Sequence, residues 1–201
     1  MKSTYILIIS IMTFLLGSTV NQAQESVDSI MMEAGYANDV YYSFENGEVH
    51  SADRTNWDIA FYTLTWSAGI IINDGNGVEL KLYPNADTSG WNAVDTTGFS
   101  GWPALYNSVD SWEEGAFNVS ATGHPDYGWG VYNTITHNVV GDSVYIIKLA
   151  DATFKKLWIV QKISIQNTYE FRFANLDGSD QVNVTLNCSD YSDKNFVYYS
   201  L

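Results

Sequence analysis

The chain has a single cysteine, Cys188, among 201 residues. One thiol cannot close a disulfide within the chain, so an apolar core and hydrogen bonds must stabilise the fold. A chain of this length can bury such a core in one domain. We therefore expect one domain with a buried, unreactive thiol.

Positive charge is also scarce. Lys and Arg together number 9 against 23 Asp and Glu, which gives a formal net charge of -14. Proteins that bind nucleic acids or anionic lipids use clustered Lys and Arg to neutralise phosphate groups. The composition therefore argues against a nucleic-acid partner and against docking on an anionic membrane.

Only one long apolar run occurs, and it lies at the start of the chain. Lys2 precedes the apolar residues 5–16, and small and polar residues follow as far as Ala23. A helix of this length rises about 18 Å, less than the roughly 30 Å of a bilayer core. This layout is typical of a signal peptide. We predict a signal peptide over 1–23, a mature chain from Gln24 without a transmembrane segment, and an exported bacterial protein that is extracellular or outer-membrane-associated.

Long amphipathic helices are missing, whereas short runs rich in Val, Ile, Tyr, Phe, Trp and Thr recur between Gly, Asn and Asp clusters. Tyr169, Phe171 and Phe173 alternate with Glu170 and Arg172, as in a strand with one buried face. The predicted fold is all-β and mainly an antiparallel meander, with a long, irregular, aromatic-rich insertion over 84–132. Strands are predicted over 40–45, 57–65, 68–73, 78–83, 143–149, 154–164, 168–176 and 182–186, the last four as a meander.

A short phrase occurs twice in the chain. Residues 40–44 read Val-Tyr-Tyr-Ser-Phe, and residues 197–201 read Val-Tyr-Tyr-Ser-Leu. A repeated strand at the end of a chain indicates the start of a second, related unit, with chance similarity as the alternative. We predict a β domain over 24–194, followed at 195–201 by the start of a second repeat in a truncated chain.

Signatures of common catalytic sites do not occur in the sequence. It has no Gly-x-Ser-x-Gly nucleophile motif, no phosphate-binding glycine loop and no His-Glu-x-x-His zinc motif. We expect a binding protein rather than an enzyme. An extracellular hydrolase stays open only because two carboxylates far apart in sequence can meet in a fold.

Two sets of residues in or beside the insertion are candidates for ligand binding. His124 and His137 flank a Gly-Trp-Gly segment, and two converging imidazoles can hold a haem iron, although histidines this far apart are often unrelated. No metal other than haem iron is expected. Tryptophan faces suit sugar rings, porphyrins and other flat ligands, although the same side chains can simply cover a core. The tryptophan candidates are Trp91, Trp102, Trp112 and Trp129.

Four segments carry a family resemblance. Residues 40–49 read Val-Tyr-Tyr-Ser-Phe-Glu-Asn-Gly-Glu-Val, residues 56–61 read Asn-Trp-Asp-Ile-Ala-Phe, residues 145–149 read Tyr-Ile-Ile-Lys-Leu, and residues 154–159 read Phe-Lys-Lys-Leu-Trp-Ile. With them the chain resembles the HmuY-like family of exported Bacteroidetes β proteins. The resemblance implies a mainly antiparallel β domain that binds haem between two axial side chains and passes it to an outer-membrane receptor.

Two functions are therefore expected. The first is an exported haem-binding domain with His124 and His137 as the iron ligands. The second is a cell-surface interaction or glycan-binding module that holds a sugar-like ligand or a surface partner through the tryptophans and needs no haem.

Overall fold

The computed structural model describes residues 25–201, so the signal peptide predicted over 1–23 lies outside the described residues. In this part of the chain β-strands are joined by loops and short 3-10 helices, which confirms the all-β, mainly antiparallel fold class. None of the helices within 25–201 is long and apolar enough to cross a membrane. The strands are β1 (Asn38–Ser43), β2 (Gly47–Asp53), β3 (Ile59–Tyr62), β4 (Ile70–Ile72), β5 (Glu79–Leu82), β6 (Gly130–Tyr132), β7 (Val139–Gly141), β8 (Tyr145–Lys148), β9 (Phe154–Ile163), β10 (Thr168–Asn175), β11 (Val182–Asn187) and β12 (Phe196–Tyr199).

The largest sheet is built around β9, a strand of 10 residues. β10 pairs along one side of β9, while β8 pairs with the first half of the other side and β7 with the second half. β11 extends the sheet from β10, β5 from β8, and β6 from β7. The predicted four-stranded meander is confirmed, because β8, β9, β10 and β11 pair in chain order and antiparallel.

A second sheet has the order β12–β3–β4. In β12, Val197 lies opposite Phe61 of β3, and Val197 is buried in the main core. The segment 195–201 therefore contributes a strand to this domain, beyond the boundary predicted at 194. A second unit after this strand stays a prediction.

The main core lies between the two sheets. The Phe61 ring of β3 is 4.8 Å from the Tyr169 ring and 4.9 Å from the Phe171 ring, both on β10. All three side chains are almost fully buried. Burying a large apolar side chain stabilises a fold by roughly 1.5 to 3 kcal/mol, so such contacts hold the sheets together.

The insertion covers the other face of the large sheet. It contributes 3-10 helices over Thr88–Ala93 and Phe99–Gly101, and its side chains form a second cluster with residues of the sheet such as Ile146 and Ala174. As predicted, residues 84–129 contribute none of the strands β1 to β12. The end of the predicted insertion is corrected, because β6 begins at Gly130 and pairs with β7.

Two asparagine side chains complete the outer edge of β4. Asn107 accepts from the N–H of Ile72 at 3.0 Å and donates to the carbonyl of the same residue at 2.7 Å. Asn118 accepts from the N–H of Ile70 at 3.0 Å, and the Ile70 carbonyl accepts from the Phe117 N–H at 3.4 Å. Two side-chain amides and the Phe117 N–H thus make the hydrogen bonds that a further strand would otherwise supply.

Candidate ligand-binding site

A cleft of about 230 Å³ lies between the turn that joins β3 to β4 and the segment that leads into β6. Aromatic side chains contribute from both sides, and Trp66 in the β3–β4 turn is 69% exposed. The cleft is therefore accessible to a ligand. Its lining includes Trp66, Ser67, His124, Tyr127, Tyr132 and Lys162.

Three rings of the cleft contact one another. The ring centroid of His124 lies 5.1 Å from that of Tyr132 and 6.5 Å from that of Tyr127, and the two tyrosine rings are 6.4 Å apart. The rings are tilted or edge-on to one another, so no ring lies flat on its neighbour. Ring faces therefore remain available to a ligand.

Hydrogen bonds fix the segment that leads into β6. The Asp126 carboxylate accepts from the N–H of Gly128 at 2.7 Å, and from the N–H and hydroxyl of Thr122 at 2.9 and 2.8 Å. Burial raises the pKa of Asp126, but these hydrogen bonds outweigh burial and leave the pKa below its ordinary value. The Tyr132 N–H closes the loop on the Pro125 carbonyl at 2.8 Å. The aromatic rings are thus carried by an ordered loop.

Asn118 connects the two walls of the cleft. Its amide nitrogen donates to the carbonyl of Ala68 at 2.9 Å and to that of Tyr127 at 3.1 Å. Ala68 belongs to the β3–β4 turn, and Tyr127 lies on the opposite wall. This buried amide therefore helps to set the width of the cleft, and it also closes the edge of β4.

Both predicted histidines lie beside Tyr132. The ring centroid of His137 is 6.0 Å from that of Tyr132, and its Nδ1 is hydrogen-bonded to the Tyr132 hydroxyl at 2.6 Å. His124 contacts the same ring, as described above, and both histidines are exposed. The fold thus places two imidazoles that are 13 residues apart in the sequence beside one tyrosine ring, and only His124 lines the cleft.

The fit of this arrangement to haem is partial. Imidazole is a common axial ligand of haem iron, and the tautomer in which His137 Nδ1–H donates to the Tyr132 hydroxyl oxygen leaves the lone pair of Nε2 for coordination. The cleft, at about 230 Å³, is smaller than the roughly 300 to 1,000 Å³ of pockets that enclose drug-sized ligands. A porphyrin would therefore extend over the surrounding surface. Residues 25–201 contain no group of three or more His, Cys, Asp or Glu side chains placed to hold a metal ion.

Lys162 enters the cleft because of an irregularity in β9. Glu170 of β10 pairs with Gln161, whereas the next residue, Phe171, pairs with Ile159, so Val160 forms a bulge. One extra residue reverses which side chains face the core. Lys162 consequently lies opposite buried Tyr169 and is 1% exposed.

The four predicted tryptophans do not form one ligand surface. Trp129 is fully buried, and its Nε1 donates to the Ala68 carbonyl at 2.9 Å. Trp91 is 4% exposed and donates to Gln181 at 3.0 Å, while Trp102 is half-buried in the second cluster. The prediction of a ligand surface is corrected for Trp91 and Trp129, because both rings pack in the core clusters, both Nε1 donors are used within the chain, and neither residue lines the cleft.

Trp112 is the most exposed of the four. Its ring lies edge-on to Tyr62 at 6.1 Å and to Phe196 at 5.8 Å, and 55% of the residue is exposed. It lines a separate, open depression together with Asp110 and Glu113, and it does not line the cleft at His124. Trp112 therefore serves as a matched control for experiments on the cleft.

Several residues of the cleft were not predicted from the sequence. Trp66 lies in a turn that is 58 residues before His124, and nothing in the sequence brings the two segments together. Tyr127 and Tyr132 could not be singled out from the sequence, because tyrosine occurs 14 times in the chain. A charged residue among the apolar residues of β9 was the one available signal for Lys162, since lysine is seldom buried.

Comparison of the chain with protein-family models, with curated proteins and with solved structures gave no match. The resemblance to the HmuY-like family stays a prediction from the four sequence segments.

Proposed function

We propose that the chain is an exported, non-catalytic binding domain whose cleft at His124 holds one ring of a glycan. The main support is the convergence of Trp66, His124, Tyr127 and Tyr132 on a cleft of about 230 Å³, which suits a single sugar ring. Aromatic faces pack against the C–H faces of sugars, while the polar ends of Tyr and His bind hydroxyls. Export rests on the predicted signal peptide, and a surface glycan or a receptor in the outer membrane is the partner class that follows.

A glycan array followed by NMR titration tests this function. Binding should shift the indole N–H signal of Trp66, and Trp66→Ala or Tyr132→Ala should weaken binding by about three- to tenfold, because each removes an aromatic contact. Trp112→Ala is the matched control, since Trp112 is exposed outside the cleft. Equal binding by all three variants and the wild type would contradict the proposal.

Haem is a second candidate, because His124 and His137 both contact Tyr132 and both are exposed. In this case His124 and His137 would hold the haem iron through their imidazole nitrogens. Haemin titration of the chain from Gln24 should give a saturable, sharpened Soret band that His124→Ala or His137→Ala abolishes. His50→Ala is the control, because His50 is an exposed histidine of β2. An unchanged Soret band in both His124→Ala and His137→Ala would exclude this ligation.

A further inference from the structure

Lys162 is a buried cation in the wall of the cleft. It is 1% exposed, and its Nζ donates to the Leu64 carbonyl at 3.3 Å and to the Ser67 carbonyl. Nζ also lies 4.8 Å from the centroid of the Tyr169 ring. Both carbonyls belong to the β3–β4 turn, so the ammonium connects the large sheet to the turn that carries Trp66.

The surroundings of Lys162 contain no carboxylate partner. Within residues 25–201 no ion pair involves this lysine, and the one titratable group that acts on its pKa is the Cys188 thiol. Burial lowers the pKa of Lys162 to about 8, from an ordinary value of 10.5. A buried charge without a partner is costly, because neutral carbonyls replace only part of the hydration that the ammonium loses.

Lys156, on the same strand, provides a comparison. It is also 1% exposed, and its Nζ donates to the Trp91 carbonyl at 2.7 Å. Burial lowers its pKa as well, but the carboxylate of Asp177 acts in the opposite direction and stabilises the charge. Lys156 therefore has a negative partner within the chain, and it does not line the cleft.

An ammonium has three N–H donors, and two carbonyls use two of them. The cleft runs past Lys162, with His124 also in its lining. We infer that the ligand of the cleft carries a carboxylate, which binds the remaining N–H and the charge of Lys162. This inference rests on the proposed function and narrows the ligand from any sugar ring to an acidic sugar, such as a uronic or sialic acid.

The same carboxylate chemistry occurs in the propionate groups of haem. The ligand class is therefore an aromatic-binding ring with an attached carboxylate, and acidic sugars are the members that fit the size of the cleft. Haemin and acidic sugars are distinguished by separate titrations, because Soret changes report only the former.

The first experiment compares matched ligands on the wild-type chain. Glucuronate is titrated against glucose, and galacturonate against galactose, while NMR follows the Trp66 indole and the side-chain signals of Lys162. We expect each acid to bind at least about tenfold more tightly than its neutral partner, since a hydrogen bond between charged groups is stronger than one between neutral groups. Equal affinities for acid and neutral sugar would overturn the inference and leave the proposed function intact.

Propionate provides a test that does not depend on sugar binding. Its titration should shift the Lys162 signals, whereas propionamide, its neutral isostere, should not. If no sugar of either kind shifts the Trp66 signal, the proposed glycan function fails. The propionate titration, followed on the Lys162 signals, then tests whether the cleft binds a carboxylate. Lys162 signals that respond to neither propionate nor an acidic sugar would overturn the inference.

Substitution at Lys162 gives a further test. Lys162→Met should remove the preference for acidic over neutral sugars, and Lys162→Arg should retain part of it. Lys155→Met is the control, because it removes one positive charge from β9 outside the cleft. Retention of the full preference in Lys162→Met would overturn the inference. If that variant does not fold, the matched ligands on the wild type decide.

Discussion

The hydroxyl oxygens of Tyr41 and Tyr198 lie 3.4 Å apart and join the β1–β2 hairpin to the edge strand β12. The two tyrosines have the same position in the repeated Val-Tyr-Tyr-Ser phrase. Tyr198 also lies edge-on to the Trp57 ring at 4.9 Å. A two-stranded hairpin is only marginally stable in water, so contacts of this kind hold it against the domain.

Replacing Tyr198 by Ala is expected to loosen the hairpin. The variant loses the Trp57 and Tyr41 contacts, and its free energy of unfolding should fall by about 1 kcal/mol. Amide hydrogen exchange should accelerate in β1 and β2 more than in β9 and β10. Tyr198→Phe is the control that keeps the ring and removes only the hydroxyl. Unchanged exchange in β1 and β2 of the Ala variant would show that the hairpin is held in another way.

Two tryptophans should respond differently to truncation. Trp129→Ala leaves a cavity in the main core and removes one of the two side-chain hydrogen bonds to the Ala68 carbonyl, so the free energy of unfolding should fall by about 3 to 5 kcal/mol. Trp112→Ala should change it by less than about 0.5 kcal/mol, because much of that side chain is exposed. Urea denaturation measures both values. Similar losses in the two variants would mean that the assigned burial of Trp129 is wrong.

Gly141 should not tolerate a side chain. A Cβ atom there would lie 1.7 Å from the Ile159 carbonyl oxygen in β9, and backbone cannot move aside locally. Gly141→Ala should therefore lower the free energy of unfolding by about 3 kcal/mol. At Gly101 no atom lies within 4 Å of a Cβ atom, so Gly101→Ala should be neutral or stabilise by up to about 1 kcal/mol. Denaturation midpoints compare the two, and a tolerated Ala at 141 would contradict the pairing of β7 with β9.

The stability of the domain should rise between pH 8 and pH 9. The pKa of Lys162 is about 8 in the fold and ordinarily 10.5, so above pH 8 the unfolded chain binds more protons than the folded chain. Stability therefore rises with pH, by about 1 kcal/mol over this interval and by up to roughly 3 kcal/mol by pH 10.5. Urea denaturation at stepped pH should show this rise, and Lys162→Met should abolish it.

Above pH 9 the Cys188 thiol should oppose this gain. Burial raises its pKa to about 11 from an ordinary 9.0, so between these values the folded chain keeps a proton that the unfolded chain has lost. Stability falls with pH in that window. Burial likewise raises the pKa of Tyr169, which opposes the gain above pH 10. Cys188→Ala should therefore extend the rise in the free energy of unfolding beyond pH 9. If Lys162→Met shows the same rise as the wild type, a group other than Lys162 causes it.

Strands with one buried face were predictable from the sequence, because alternation in β10 follows directly from burial of Tyr169, Phe171 and Phe173. β2 was not predicted, because most of its residues are exposed on both faces. Residues such as Glu48 and His50 therefore show no apolar alternation. The repeated phrase at the end of the chain suggested a new unit. The sequence does not reveal that these residues form β12, which pairs with β3 over a long separation.

The candidate site was only partly predictable. His124 and His137 were named for the chemistry of imidazole, and the fold places both beside Tyr132. Lys162 could not be found by strand periodicity, because strict alternation from Ile159 would turn Gln161 toward the core. The bulge at Val160 reverses this, and it depends on pairing with β10.

The asparagine pair on β4 has a consequence for behaviour in concentrated solution. Ile70, Ile71 and Ile72 form an uncharged, β-branched run of the kind that recruits strands from other molecules when its backbone is unpaired. Asn107 pairs with both backbone groups of Ile72, Asn118 accepts from the Ile70 N–H, and the Phe117 N–H donates to the Ile70 carbonyl. A neighbouring molecule therefore meets no vacant donors or acceptors at these two residues. The two amides thereby protect an aggregation-prone segment that the chain needs for its core.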